Sequence, residues 1–361
     1  MARSRAPRQS KPSAARMAMI RVAVIGAGQW GPNLIRNFHN KETSEVIWII
    51  DRDAGRLEEV HAHFPDVQVA KDPEQALRDP SVHAVVIATP TGTHYEFAKK
   101  ALRQRKHVLV EKPLTTEVKQ GHELLELATK YQLTLMVGHV FLYNTAVRKV
   151  KEYLDAGHLG KLYYVSMVRT NLGPIRLDVN AAWDLAAHDI SIANYWLSAE
   201  PLSVSATGGI WINEGIEDAV FATLTYPQGT LVNLHASWLN PRKARDITVV
   251  GDKRMLTFDD MNLNEPLRVY DKQVSDGSNR QTIVDSFASF RASVPKAEIS
   301  VPTVPSGEPL ATQCAHFLDC IAVGKQPLTD GREGIAVVRA VEAVQRSIRA
   351  RGREERVEAS C

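Results

Sequence analysis

Three short stretches of this 361-residue chain carry side chains suited to proton transfer and to steadying negative charge. The first is Glu111-Lys112-Pro113, directly after the apolar run 107–110. A residue before proline is pushed towards extended backbone, so Lys112 projects from the end of a strand, where its ammonium can donate to a hydroxyl or a developing alkoxide. The second is Trp183-Asp184-Leu185-Ala186-Ala187-His188, with Ser191 three residues further on. Spacings of four and three put Asp184, His188 and Ser191 on one helix face, which predicts a carboxylate that holds the imidazole in one tautomer and poises it as a general base. No third histidine and no H-E-x-x-H spacing accompanies them, so no metal centre is expected. The third is Thr89-Pro90-Thr91 with His94: a loop that can lie beneath a bound cofactor, and a histidine whose charged form is disfavoured in the first turn of a helix.

These groups need a seat for the molecule they act with, and the stretch 20–38 supplies one. Gly26-Ala27-Gly28-Gln29-Trp30-Gly31 follows a strand-like run and opens a helix-like one. In this G-x-G-x-x-G spacing Gly26 makes a tight turn, Gly28 admits a pyrophosphate to the backbone, and Gly31 lets helix approach strand. Pro32 suits a first helical turn, whose N–H groups have no helical partner and whose dipole favours an anion. Asp51 follows Gly31 by twenty residues at the end of a second apolar run. A carboxylate there hydrogen-bonds an adenosine ribose and repels a 2′-phosphate, so NAD is predicted over NADP; Arg52 beside it is a residue type that can accommodate that phosphate.

From residue 20 onward, strand-like runs (21–25, 46–50, 67–70, 84–88, 107–110, 133–137) alternate with helix-like segments (33–39, 54–64, 73–78, 93–104, 117–131). The runs are apolar on both faces, which predicts a doubly wound parallel Rossmann sheet over 20–140. Past Gly138 the pattern changes. A helix is expected over 145–156 and another over 183–197, between longer alternating strands at 162–169, 202–212, 219–226, 230–238 and 246–250. Such alternation predicts a large, mostly antiparallel sheet in an α+β domain over 141–361, closed by helices at 310–323 and 333–349, with 270–305 as a polar surface excursion. That sheet would leave an apolar face to water, so a homodimer or homotetramer is expected.

The remaining composition narrows the class. No run of about 18 apolar residues occurs and no signal peptide is evident, which points to a cytoplasmic protein with no membrane contact. Cys314, Cys320 and Cys361 fit reduced thiols, with no C-x-x-C pattern. Residues 1–19 carry Arg3, Arg5, Arg8, Lys11 and Arg16 without an acid and read as a disordered basic tail. No aromatic residues interleave with those charges, so a nucleic-acid partner is not expected.

Taken in order, the glycine loop, Glu111-Lys112-Pro113 and Asp184-x-x-x-His188 resemble the glucose-fructose oxidoreductase, inositol dehydrogenase and MocA family (Gfo/Idh/MocA) over about 20–350. The resemblance implies that Lys112 orients the substrate, His188 accepts its proton and Asp184 supports it. It also implies a cofactor site drawing on Gly26, Gly28, Gln29, Trp30, Gly31, Asp51, Arg52, Thr89, Pro90, His94, Glu111 and Lys112. The stretches 28–38, 138–144 and 171–180 are similar to the branch that oxidises the 3-hydroxyl of UDP-N-acetylglucosamine or its uronate, although Gln29 stands where tyrosine is more usual. On that resemblance Tyr143, Asn144, Arg169 and Arg176 are expected to bind a nucleotide sugar, the two arginines through a diphosphate or a carboxylate. Two other functions fit the same fold: an NADPH-dependent sugar ketoreductase of antibiotic-sugar synthesis, and a dinucleotide-sensing regulator without turnover. A sensor has no use for the proton-transfer set Lys112, Asp184 and His188.

Overall fold

The computed structural model describes residues 19–271 and 298–358. The basic tail, most of the 270–305 excursion and Cys361 lie outside the described residues.

Six short strands form the first sheet: β1 (Ile20–Ile25), β2 (Ser44–Ile50), β3 (Gln68–Ala70), β4 (Ala84–Ile87), β5 (His107–Glu111) and β6 (Leu135–Gly138). All pair in parallel, in the order β3-β2-β1-β4-β5-β6, so the chain reverses direction between β1 and β4. That reversal opens a crevice at the carboxyl ends of β1 and β4, the place where ligands of doubly wound sheets bind. The strands are apolar on both faces because helices cover both. On one side lies α1 (Gly31–His39), whose Leu34, Ile35 and Phe38 are fully buried. On the other are α4 (His94–Arg103) and α5 (Val118–Tyr131), which bury Ala98, Leu102 and Leu124. The helices α2 (Ala54–His63) and α3 (Pro73–Arg78) are capped by Asp53 and Asp72, whose carboxylates accept first-turn N–H groups.

After α6 (Thr145–Asp155) the second sheet begins, with order β14-β13-β12-β11-β7-β10-β9-β8-β15. It consists of β7 (Leu162–Leu172), β8 (Ser203–Gly209), β9 (Ala219–Thr225), β10 (Leu231–Ser237), β11 (Leu239–Gly251), β12 (Arg254–Asp259), β13 (Leu267–Asp271), β14 (Glu298–Ser300) and β15 (Glu355–Arg356). Every pairing is antiparallel except β10 with β7. One face packs on α6 and α7 (Ala187–Leu197) through Val165, Met167, Leu234 and Trp196. The other face presents Tyr164, Phe221 and Leu231, each about half exposed. β8 stops at Gly209, short of the strand expected to residue 212, because Asp218 takes the N–H groups of Trp211 and Ile212.

The last two helices depart from a simple division at residue 140. Within α8 (Pro309–Val323), Leu310, Cys314 and Phe317 join the core of the first sheet, where Phe317 meets Phe38 edge-on. The chain then bonds along β6, Val137 N–H donating to the Thr329 carbonyl. The long α9 (Gly331–Arg349) packs on both α5 and β8 and spans the two sheets. The segment expected to belong wholly to the second domain therefore completes the first.

Candidate active site

A cleft of about 1320 Å³ lies between the two sheets and collects most of the residues singled out above. Its floor is the glycine loop. Gly26 has φ +104°, and a Cβ there would sit 2.5 Å from the Ala88 carbonyl oxygen. A Cβ on Gly31 would sit 2.1 Å from the Gly26 carbonyl oxygen. Both positions therefore exclude any side chain, whereas Gly28 has ordinary space and faces the cleft. No side chain caps α1 and no acid stands in its first turn; Asn33 and Leu34 N–H bond the Trp30 carbonyl, which leaves the Gly31 N–H and the positive end of the helix dipole to an anion. Asp51 ends β2 beside this loop. Its Oδ2 accepts from Ala27 N–H at 2.7 Å and its Oδ1 from Asp53 N–H at 2.9 Å, which fixes the carboxylate in the cleft wall. Arg52, Arg56 and Lys71 line the same end. The closed turn, the open helix terminus and the anchored carboxylate fit a dinucleotide: Gly26 to Gly31 could hold its pyrophosphate and Asp51 its adenosine ribose.

Thr89, Pro90, Glu111, Lys112 and His94 line the middle of the cleft. His94 sits between the loops after β4 and β5, its Nδ1 2.7 Å from the Pro113 carbonyl and its Nε2 2.9 Å from the Thr89 carbonyl; the neutral ring has one N–H to donate to one of them. Its pKa is lowered chiefly by burial, against the pull of those carbonyls, with no need of the helix dipole. Glu111 is half-buried beside Gly138, and its loss of hydration pushes its pKa up to about 7, opposed by the Lys112 charge.

The Asp184–His188 pair expected from the i,i+4 spacing does not form. Residues Ala182–Ala186 make a π-helical turn ahead of α7, and the wider turn rotates Asp184 away from the face His188 occupies. Asp184 instead gathers three donors. Lys112 Nζ donates to its Oδ1 at 3.0 Å and to its backbone carbonyl at 2.7 Å, Arg176 Nη1 donates to Oδ1 at 3.1 Å, and Trp238 Nε1 donates to Oδ2 at 3.1 Å. Burial raises the Asp184 pKa, but the Lys112 and Arg176 charges outweigh it and hold the carboxyl below its ordinary range. The carboxylate's role is thus to pin the lysine.

His188 stands in the same cleft, and among the described residues neither of its ring nitrogens has a hydrogen-bond partner. Nδ1 is buried without a partner, and the Phe141 ring meets the imidazole edge-on at 5.0 Å. Its pKa falls well below the ordinary value, first through burial and then through the Lys112 and Arg169 charges. A neutral imidazole with a free lone pair beside a pinned ammonium can accept a proton from a hydroxyl that the ammonium orients.

The expected substrate contacts divide. Arg176 lines the cleft but is clasped by Asp178, Nη2 to Oδ2 at 2.6 Å, as well as by Asp184. Arg169 is 3% exposed and bonds Asp189 Oδ1 from both Nε and Nη2, so it holds α7 to β7. Asn144 caps α6 and donates to Asp260, which also pairs with Arg245 at 2.8 Å. Tyr143 is not in the cleft. It is 1% exposed, with its hydroxyl against Thr329 at 3.1 Å, because the turn after β6 points it into the core of the first sheet. Residues not singled out above complete the site: Phe141, Trp238, Lys243, Arg245 and Asp260. Among the described residues Lys243 has no ion-pair partner and is exposed at the rim.

Comparison with known proteins gives the family. Residues 20–139 match the model of the oxidoreductase family with an NAD-binding Rossmann fold, Gfo/Idh/MocA, and residues 147–257 match that family's C-terminal domain. The chain belongs to the Gfo/Idh/MocA oxidoreductase family. It is 27% identical over 343 residues to the UDP-N-acetylglucosamine 3-dehydrogenase of Acidithiobacillus ferrooxidans, covering 92% of this chain and 99% of that protein. A solved structure of the A. ferrooxidans enzyme superposes with a TM-score of 0.78 at 26% identity over 92% of this chain and 99% of that one. The scyllo-inositol 2-dehydrogenase (NAD(+)) of Bacillus subtilis is also 27% identical, over 322 residues, covering 86% of this chain and 88% of that protein. This family member is thus equally similar to a nucleotide-sugar enzyme and a polyol enzyme, and both are dehydrogenases.

Proposed function

We propose that this oxidoreductase oxidises the 3-hydroxyl of a nucleotide sugar, UDP-N-acetylglucosamine or its uronate, with NAD as acceptor. The observation that carries the chemistry is the neutral, unpartnered His188 beside the Asp184-pinned Lys112 in the cleft above the glycine loop. Bound NAD supplies the hydride acceptor. Lys112 donates to the substrate oxygen and lowers the cost of charge developing on it. His188 Nε2 takes the hydroxyl proton. Asp184, itself held by the Trp238 indole N–H, fixes the ammonium at one point, so Lys112 orients the hydroxyl without searching rotamers.

The choice of a nucleotide sugar over a neutral polyol rests on charge and size as well as on likeness. The cleft carries Lys243, Arg245 and Arg176 beyond His188, and Lys243 has no carboxylate partner among the described residues. A diphosphate or uronate has use for such a cation, and an inositol does not. NAD is favoured over NADP by the anchored Asp51.

The test is incubation of the protein with NAD or NADP and a panel of UDP-N-acetylglucosamine, its uronate, myo-inositol and scyllo-inositol, recording absorbance of the reduced nicotinamide. Turnover of a nucleotide sugar with NAD is expected. Turnover of the inositols alone would assign the chain to the polyol branch.

A further inference from the structure

Behind His188 lies a second group of titratable side chains that the proposed chemistry does not use. His139 follows β6 directly, is 1% exposed, and neither of its ring nitrogens has a hydrogen bond. Its Nε2 lies 3.5 Å from Glu333 Oε2, which also lacks one. Glu333 stands at the third position of α9, three residues after the cap Asp330. A glutamate there ordinarily turns back to the cap in a capping box. Here its Oε1 instead accepts from Ser191 Oγ at 2.8 Å. Ser191 lies one helical turn beyond His188, whose Nδ1 is likewise buried and unbonded. Among the described residues, His139 and Glu333 thus place three buried, unbonded side-chain atoms beside one another, and His188, whose Nδ1 is the fourth, feels the His139 charge from α7, on which the turn after β6 and α9 both pack.

We propose that His139 and Glu333 form an internal acid–base pair that receives the proton His188 takes from substrate. The proposal rests on the dehydrogenase reading above. The substrate O–H bond breaks and a His188 Nε2–H bond forms. The imidazolium then gives its Nδ1 proton to His139 Nδ1, and the His139 Nε2 proton passes to Glu333 Oε2. His188 and His139 end neutral with their ring protons on the opposite nitrogens and Glu333 ends as the acid; when product leaves, Glu333 loses its proton to solvent and both rings return to their starting tautomers before the next turnover.

The charge environment agrees with this direction. His139 faces Lys112, and burial with that charge brings its pKa down to about 3, so it is a neutral carrier at working pH. Burial lifts Glu333 to about 8; the Ser191 hydrogen bond opposes that shift and the Asp330 charge adds to it. His188 is faced by Lys112, Arg169, His139 and Arg245. Glu111 lies beside Gly138 on the adjoining strand and titrates about a unit lower than Glu333. Because Glu333 can accept a proton only as a carboxylate, turnover is expected to rise through a limb near pH 8, above the limb of His188.

Glu333→Gln removes the acceptor and keeps the shape. In the full-length protein without substrate, infrared titration is expected to show a protonated-carboxyl band that disappears near pH 8 and is absent from Glu333→Gln. With NAD and whichever panel substrate the wild type oxidises, Glu333→Gln should lower kcat at least tenfold above pH 8, leave KM for NAD unchanged and abolish the upper limb. Ser191→Ala keeps both titratable groups and removes the hydrogen bond that stabilises the carboxylate, so the limb and the infrared transition should move to higher pH. A band that does not titrate between pH 6 and 10 would overturn the pair even if no substrate is found. Turnover and limb unchanged in Glu333→Gln would overturn it while leaving the dehydrogenase reading intact, and absence of wild-type turnover on every panel member would instead count against that reading.

Discussion

Replacing Asp184 by asparagine tests the ion pair on which the site is built. The side chains of Asp184 and Lys112 are only 17% and 9% exposed, so the substitution leaves the Lys112 ammonium against a neutral amide, while Arg176, 28% exposed, keeps its pair with Asp178. Removing one partner of a buried pair costs about 3–5 kcal/mol, because the stranded charge keeps its desolvation penalty without its compensation. The part contributed by Arg176 is discounted for its partial exposure, which places Asp184→Asn near the lower end of that range. At roughly 2–4 °C per kcal/mol for a protein of 150–250 residues, and less for a longer one, the melting temperature should fall by about 5–10 °C at pH 7. The pH dependence has a definite sign. The folded-state pKa of Asp184 is depressed, so its contribution is complete above the unfolded value near 3.8 and is lost as pH falls through the folded one. The difference in melting temperature between wild type and Asp184→Asn should therefore be constant from pH 5 to 7 and shrink below pH 4. Differential scanning calorimetry at pH 3, 5 and 7 with parallel turnover measurements makes the check. A variant that melts within 1 °C of wild type at pH 7 and keeps full turnover would refute the claim that this carboxylate pins Lys112.

Three further outcomes are expected. His188→Asn should lower turnover by about a hundredfold to ten-thousandfold with NAD affinity near wild type by calorimetric titration, and the wild-type acid limb should lie below pH 6.5 because burial and neighbouring cations lower this histidine. Asp51→Ala should weaken NAD and raise the relative use of NADP in steady-state kinetics, since Arg52, Arg56 and Lys71 remain to meet a 2′-phosphate; a wild type that already prefers NADP would show that these cations dominate. The face bearing Tyr164, Phe221 and Leu231 should be covered in a dimer or tetramer, so sedimentation at micromolar concentration should find no free monomer, and Phe221→Asp should release it.

The parts of this account legible in the sequence are those with local causes. The strands of the first sheet read clearly because each is apolar on both faces, and Gly26 and Gly31 read clearly because a Cβ at either meets backbone at once. Alternation disclosed five of the nine strands of the second sheet but not β12, β13, β14 or β15, short strands whose pairing lies in their neighbours; β14 falls within the stretch expected as a surface excursion. The three motif residues Lys112, Asp184 and His188 do gather in one cleft, yet their connections could not be inferred from spacing. The i,i+4 rule assumes a regular α-helix, and the π turn at 182–186 breaks it. The lysine that Asp184 holds is 72 residues away and the tryptophan that steadies it 54. The same holds for Ser191 and Glu333, separated by 142 residues, and for α8, which returns to the first sheet with no local mark of its destination. Tyr143 and Arg169 looked available because aromatic and guanidinium groups often bind sugars and phosphates; Thr329 and Asp189 had already claimed them.

The central claim is that hydrogen leaves C3 of a nucleotide sugar while His188 takes the hydroxyl proton. UDP-N-acetylglucosamine deuterated at C3, incubated with NAD and protein and followed by mass spectrometry of the cofactor, tests it directly. Deuterium recovered in the reduced nicotinamide, with a slower rate than for unlabelled sugar and loss of the transfer in His188→Asn, is the expected result. Reduced cofactor that carries no deuterium, or transfer undiminished in His188→Asn, would contradict it.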